Sequence, residues 1–209
     1  MMLKRDVFPR NAVKDYHSVV RSELLTGDIV LCSGTGIFSS MLQAATDSVW
    51  SHAALVLRLD EIDRVLLLES VEPVGVRCVR LSKYLENYAN DGSPYPGGIV
   101  VARHANFGSV VSETARTKLT QYAIDQFGYP YDKDEIAKIA ARIVAAKLPF
   151  TRKQLSKIAP DKEFICSEYV AMCYEEAGLP IQWNQLGFIS PADIAMDPSF
   201  ELIAVLQKR

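Results

Sequence analysis

Short apolar runs bounded by turn residues recur six times along the chain, and this pattern predicts six strands. The runs are 29–32, 50–59, 64–71, 74–80, 99–103 and 200–206. The second, third and fourth runs are separated by the brief polar connections 60–63 and 72–73. Because connections this short join antiparallel neighbours, these three strands are predicted to form an antiparallel meander.

Segments with a helical period lie before, between and after the predicted strands. They are 16–25, 37–45, 81–88, 110–127, 134–147, 151–158, a run beginning at 166, and a short run after Ser190. The loop 33–36 contains two glycines, but it lacks the lysine and the third glycine of phosphate-binding loops. We interpret this loop as a tight turn in which Ser33 or Thr35 caps the next helix.

A thiol stands at the start of the predicted helix that begins at Cys166. Val170, Cys173 and Ala177 follow at spacings that share one helical face, and Gly178 is a typical stop. The first turn of a helix carries unpaired N–H groups and partial positive charge, which favour the reactive thiolate. Cys166 is therefore a candidate nucleophile in need of a base.

The chain has three histidines, and His52 is the best candidate for that base. It heads the second strand run, while Glu69 lies near the end of the next one. Adjacent strands could bring Glu69 beside His52, where a carboxylate would fix the imidazole tautomer. His104 follows a strand, is predicted to be exposed and serves as the reserve base. His17 is assigned to the surface.

Five segments in order carry a resemblance to a known family. They are Gly27-Asp28-Ile29-Val30-Leu31, Ser51-His52 before a strand, Leu68-Glu69-Ser70, Gly128-Tyr129-Pro130-Tyr131-Asp132 and Cys166-Ser167-Glu168. Together they resemble the circularly permuted branch of the NlpC/P60 papain-like superfamily, in particular the YiiX/YaeF-type bacterial cysteine amidases. The resemblance runs from about residue 25 to about residue 196, and the histidine precedes the cysteine, as the permuted order requires.

The resemblance implies an α+β papain-like fold with an antiparallel sheet packed against helices. Its residue roles would make Cys166 the nucleophile, His52 the base and Glu69 the orienting acid. Ser51 and Tyr131 are predicted to contact substrate, and the Tyr131 hydroxyl could donate to a developing oxyanion. The predicted domains are an N-terminal extension, 1–24, and a permuted domain, 25–209. The stretch at about 133–160 is interpreted as a helical insertion that could alter the substrate side.

Composition limits the classes of partner and compartment. The 209 residues, 49% hydrophobic and 23% charged, suit one globular domain, and a net charge of -2 gives no reason to expect nucleic acid or an anionic membrane. Residues 1–15 lack the apolar stretch of a secretory signal, and no run is long enough to span a membrane. The expected location is therefore cytoplasmic.

The four cysteines contain no C-x-x-C pair, so neither a zinc site nor another cofactor is predicted. Cys32 and Cys78 are interpreted as small core residues. Cys166 and Cys173 are two turns apart on one helix, too far for a disulfide. The pattern fits a reducing compartment.

The predicted reaction is thiol-mediated cleavage of an amide in a small peptide or amide substrate. The resemblance makes a muropeptide-like γ-D-glutamyl link one candidate. A lipid acyltransferase or thioesterase of the LRAT type is an alternative, because those enzymes share the permuted order. Their Asn-Cys-Glu-His signature is replaced here by Ile165-Cys166-Ser167-Glu168. A non-catalytic binding domain on the same fold is the other alternative.

Overall fold

A computed structural model describes residues 2–107, 113–131 and 165–209. The strands are β1 (Ile29–Gly34), β2 (His52–Leu59), β3 (Arg64–Val71), β4 (Gly75–Arg80), β5 (Gly97–His104) and β6 (Phe200–Gln207). The α-helices are α1 (Ile37–Thr46), α2 (Leu81–Glu86), α3 (Glu113–Asp125), α4 (Cys166–Glu176) and α5 (Pro191–Met196). The short π-helix Tyr16–Val20 precedes β1, and the 3₁₀ turns Asp60–Ile62 and Ala105–Phe107 follow β2 and β5.

The six strands form one antiparallel sheet in the order β4-β3-β2-β1-β5-β6. The predicted meander of β2, β3 and β4 is confirmed, because Leu57 pairs with Leu66 and Leu68 pairs with Cys78. The α+β class predicted from the sequence is therefore confirmed, with a wholly antiparallel sheet and helices packed against it.

Apolar side chains cover both faces of the sheet. One face packs against α3, α4 and α5 through residues such as Leu55, Leu68 and Tyr169. The other packs against the π-helix and α2, where Val56, Leu67 and Tyr84 meet. Because both faces of the sheet are covered, side chains can reach a cavity mainly at the ends of the strands. His52 is at such an end, since it is the first residue of β2.

The structure corrects two details of the local interpretation. The cap of α1 is Gly36, with no side-chain cap bond, because Ser33 lies within β1 and the Thr35 hydroxyl donates to the carbonyl of Pro96. Cys78 was expected in the core, but it is exposed. Its strand, β4, is the edge strand, and the residues from Arg77 to Arg80 are all partly or fully exposed.

Other predictions about the chain's organisation lie partly outside the described residues. The predicted helices 134–147 and 151–158, and the interpretation of 133–160 as an insertion, fall there. The proposed extension, 1–24, contributes Tyr16, Val20 and Leu24 to the core. The backbone N–H of Lys14 also donates to the carbonyl of Val205 on β6. The division into an extension and a domain stays a prediction.

Candidate active site

Cys166 is the first residue of α4 and is only 3% exposed. Its helix is anchored at several points along its length. Ser167 donates to the carbonyl of Ile189, Tyr169 to that of Ala123, and Tyr174 to that of Gly27. These bonds fix the helix against the rest of the domain, so the thiol at its first turn has one rigid position.

His52 and Glu69 lie on the same face of neighbouring strands. His52 opposes Cys32 on β1, and Glu69 opposes Arg77 on β4, so the antiparallel register brings all four side chains to one face. The Nε2 of His52 donates to Oε2 of Glu69 across 2.7 Å. The predicted placement of Glu69 beside His52 is therefore present in the structure.

Two further donors hold Glu69, and sequence reasoning missed both. Oε1 accepts from Nε of Arg77 at 3.0 Å and from its Nη2 at 2.9 Å. Oε2 accepts from the hydroxyl of Tyr84 at 2.5 Å. Burial works to raise the pKa of Glu69, but its bonds to His52 and Tyr84 and the charge of Arg77 outweigh burial and lower that pKa. Glu69 is thus an ionised carboxylate with no solvent exposure.

The imidazole of His52 lies between this carboxylate and the thiol of Cys166. Burial alone would lower the pKa of His52, but the charge of a Cys166 thiolate, a hydrogen bond with Cys166 and the contact with Glu69 raise it to about 10. Because Nε2 is occupied by Glu69, the other ring nitrogen, Nδ1, is the one left for the sulfur. In this arrangement the imidazole is placed where it can accept a proton from the sulfur.

A cavity of about 250 Å³ opens over His52 and Cys166. Its wall is mostly aromatic and hydroxyl-bearing and includes both predicted substrate residues, Ser51 and Tyr131; the other lining residues are Gly36, Phe38, Ser39, Ser70, Val71, Glu72, Tyr84, Tyr88, Tyr95 and Pro96.

The two predicted substrate residues are held in the wall by different contacts. The Ser51 hydroxyl accepts from the N–H of Gly34 and donates to the carbonyl of Cys32, so it also joins two strand ends. The ring of Tyr131 lies edge-on to Phe38, with centroids 6.0 Å apart, and belongs to a small apolar cluster with Ile165. Tyr131 therefore shapes the cavity through packing.

The remaining candidates lie away from this cavity. His104 was expected to be exposed, but it is buried against Tyr174 and Phe200, which lowers its pKa. It does not line the cavity, so the reserve base is separated from Cys166. His17 is at the surface, as predicted, where it contacts Glu86.

The described residues hold neither a cluster of metal ligands nor a membrane-spanning helix. In 2–107, 113–131 and 165–209, no group of three or more His, Cys, Asp or Glu could hold a metal ion. None of the helices within the described ranges is both long and apolar enough to cross a membrane.

Comparison with known proteins gives consistent matches. The family described as "Permuted papain-like amidase enzyme, YaeF/YiiX, C92 family" matches residues 23–195. The chain is 24% identical, over 205 residues, to "Probable lipoprotein peptidase YaeF" of Escherichia coli (strain K12), covering 90% of this chain and 67% of that protein. The crystal structure of metalloprotein yiiX from Escherichia coli O157:H7 is similar in fold, with a TM-score of 0.59 and 21% identity over 86% of this chain and 96% of that one.

Proposed function

We propose, since this chain belongs to the permuted papain-like amidase family of YaeF and YiiX, that it hydrolyses an amide bond through an acyl-enzyme on Cys166. One observation carries the proposal: the His52 imidazole lies between the buried carboxylate of Glu69 and the thiol of Cys166, at the floor of a cavity. A nucleophile, a base and a group that orients the base are the parts that thiol-mediated acyl transfer needs.

In the proposed reaction, Nδ1 of His52 takes the proton of the Cys166 thiol. The thiolate attacks the carbonyl carbon of the substrate, and a C–S bond forms as the carbonyl electrons move to oxygen. His52 then returns the proton to the departing amine as the C–N bond breaks. Water, deprotonated by the same imidazole, attacks the thioester and releases the acid. Proton transfer by a placed side chain of this kind contributes about 10²–10⁴-fold in rate.

The backbone N–H of Cys166, at the start of α4, is the proposed donor to the oxyanion. An N–H in the first helical turn has no partner within the helix and lies at the positive end of its dipole. Ser51 and Tyr131 are proposed to contact the substrate on the wall of the cavity. Together they would hold the scissile carbonyl over the sulfur.

Labelling with an electrophilic acyl probe tests the nucleophile. The experiment uses a Cys78→Ser background, because Cys78 is exposed and would react on its own. We expect one label on the parent protein, none on Cys166→Ala and much slower labelling of His52→Ala. His17→Ala, which alters a surface imidazole, is the matched control and should label like the parent. Equal labelling of all four proteins would contradict the proposal.

The proposed substrate is a small peptide or amide, with cell-wall-type peptides among the candidates. A panel of acyl-aminocoumarin amides that differ in the acyl side chain would define the acyl group. A cytoplasmic location is likewise a proposal, and the relative YaeF is named a lipoprotein peptidase. Fractionation of cells that express the protein at its native level would test that location.

One observation favours a lipid acyl substrate as a second candidate. Ile37 and Met41 on α1 are 84% and 57% exposed, and Phe38 between them lines the cavity. Flotation with phosphatidylcholine vesicles separates the two candidates. Co-flotation that is lost in Ile37→Ser together with Met41→Ser would favour the lipid substrate, and no co-flotation would favour the peptide amide.

A further inference from the structure

We infer that Arg77 and Tyr84 are positioning residues, which hold the Glu69 carboxylate so that His52 presents Nδ1 to Cys166. This inference rests on the proposed function. It adds two residues that do not touch the reacting atoms of the substrate but determine how the base is held. Both act on the carboxylate that lies behind the imidazole.

Each oxygen of Glu69 has its own set of donors. Oε1 accepts from Arg77, through Nε and Nη2 of one guanidinium. Oε2 accepts from both Tyr84 and His52. The carboxylate is therefore held at two ends and has one orientation in which it can accept from His52, and the imidazole plane follows that orientation.

Tyr84 also contacts the imidazole itself. Its hydroxyl lies 3.4 Å from Nε2 of His52, and the two rings are within 9° of parallel. The ring of Tyr84 packs against those of Tyr88 and Tyr95, with centroids 4.9 Å and 5.3 Å away, and those two rings also contact each other. This aromatic cluster fixes the hydroxyl, so Tyr84 keeps Nε2 directed to the carboxylate and leaves Nδ1 for the sulfur.

Arg77 supplies the charge that lets an acid remain ionised at this depth. A buried carboxylate without a cationic partner becomes protonated rather than charged. Arg77 is the direct cross-strand neighbour of Glu69, and its side chain is 28% exposed while that of Glu69 is fully buried. The guanidinium thus keeps contact with water on one side and with the carboxylate on the other.

The charged and titratable groups around the pair come from every neighbouring element. They are Cys32 on β1, Arg77 and Cys78 on β4, Glu72 before β4, Tyr84 on α2, Tyr88 and Tyr95 after it, and Cys166 on α4. Of these, Arg77 and Tyr84 bond to Glu69 directly. Removing either donor should make Glu69 take up a proton at a higher pH, which deprives the imidazolium of its counter-charge.

The test is the pH profile of Cys166 alkylation by iodoacetamide, measured in the Cys78→Ser background. This reaction needs no substrate and reports the thiolate directly. We expect the parent to be alkylated faster than His52→Ala on the acidic side of the profile, because an imidazolium beside the sulfur favours the thiolate. Tyr84→Phe and Arg77→Gln should shift the acidic limb upward and slow alkylation about threefold to tenfold on that limb, as a shift of roughly half to one pH unit requires.

Matched variants separate positioning from folding. Arg77→Lys keeps the charge and should recover most of the parent profile. Arg80→Gln, on the same strand, and Tyr16→Phe, in the same core face, should leave the profile unchanged. A cooperative thermal unfolding transition in each variant shows that it is folded. Tyr84→Phe retains its ring and packing, so its pH profile tests the inference independently of the Arg77 variants.

The outcomes for this inference and for the proposed function differ. A low-pH limb in the parent that neither Tyr84→Phe nor Arg77→Gln moves would overturn the inference and leave the proposed function standing. A parent profile that matches the profile of His52→Ala would overturn the proposed function, and the inference with it.

Discussion

Gly75 and Tyr129 approach so closely that a Cβ on Gly75 would lie 2.0 Å from the carbonyl oxygen of Tyr129. The contact is extended by the next residue, since Val76 donates to the same carbonyl at 2.9 Å. This contact fixes the segment that carries Tyr131 into the wall of the cavity. The edge strand β4 thus positions part of the substrate surface as well as Arg77.

Gly75→Ala should destabilise the protein and impair substrate binding. Gly75 has a φ of +86°, which L residues rarely adopt, and the added methyl would meet backbone. The strained backbone alone costs about 1–2 kcal/mol, and the clash adds to it. Gly92→Ala is the control, because its φ of +81° is similar but nothing lies within 4 Å of the added carbon. Urea unfolding of both variants measures the difference, and equal losses would contradict the steric argument.

Glu69→Gln should lower the free energy of unfolding by about 2–3 kcal/mol near neutral pH, because charged hydrogen bonds to His52, Arg77 and Tyr84 are lost or weakened. The pKa of Glu69 is held below its ordinary value of 4.5. Its stabilising contribution is therefore complete above that value and is lost as the pH falls through the lower, folded value.

The measurement for Glu69→Gln is thermal unfolding across the acidic range. The difference from the parent should stay constant above a pH of about 4.5 and shrink below it. Glu86→Gln, at an exposed carboxyl that contacts His17, is the control and should change stability by less than about 0.5 kcal/mol. A difference that persists unchanged into strong acid would contradict the ionised state of Glu69.

The pKa values of His52 and His104 should be shifted in opposite directions, as measured by NMR on ¹⁵N-labelled protein. His52, with a pKa raised to about 10, should remain protonated at a pH where His104, with a lowered pKa, is neutral. The stability that protonated His52 contributes is complete below pH 6.5, the ordinary pKa of histidine. It is lost as the pH rises through the folded-state pKa of about 10. Cys166→Ala should move the His52 titration downward, since the thiolate is its main support. A neutral His52 at about pH 8 in the parent would contradict this assignment.

The four thiols should react with a disulfide reagent in separable phases. Cys78 is exposed and should react at once, whereas Cys32 and Cys173 are fully buried and should react only on unfolding. Burial also raises the pKa of both buried thiols. Cys166 should react in an intermediate phase that Cys166→Ala removes. Mass spectrometry of quenched samples assigns each phase, and early modification of Cys173 would contradict the packing of α4.

Local patterns predict most of the elements, because apolar periodicity and turn residues act over short distances. The ends of β3 were predicted correctly, and the capping box of Ser190 and Asp193 was signalled by Ser190-Pro191. The exposure of His104 was predicted wrongly, since its burial depends on Tyr174 and Phe200, which are remote in sequence.

The two donors to Glu69, Tyr84 and Arg77, show why part of the site was not predicted from the sequence. Tyr84 reaches the carboxylate only because α2 folds back over the sheet, and no local signal carries that information. Arg77 was missed because of the register. The predicted connection 72–73 would pair Val71 with Val74 and so place Val76 opposite Glu69. The turn spans 72–74, which pairs Val71 with Gly75 and brings Arg77 opposite Glu69.

The order of the site residues along the chain has a consequence for biosynthesis. The meander that bears His52 and Glu69 is built from contacts between strands close in sequence, whereas α4 and β6 emerge from the ribosome much later. The Glu69 carboxylate and the His52 imidazole can therefore meet on a nascent chain that does not yet contain Cys166. In the proposed mechanism, the permuted order therefore withholds the nucleophile, Cys166, until most of the chain has been synthesised.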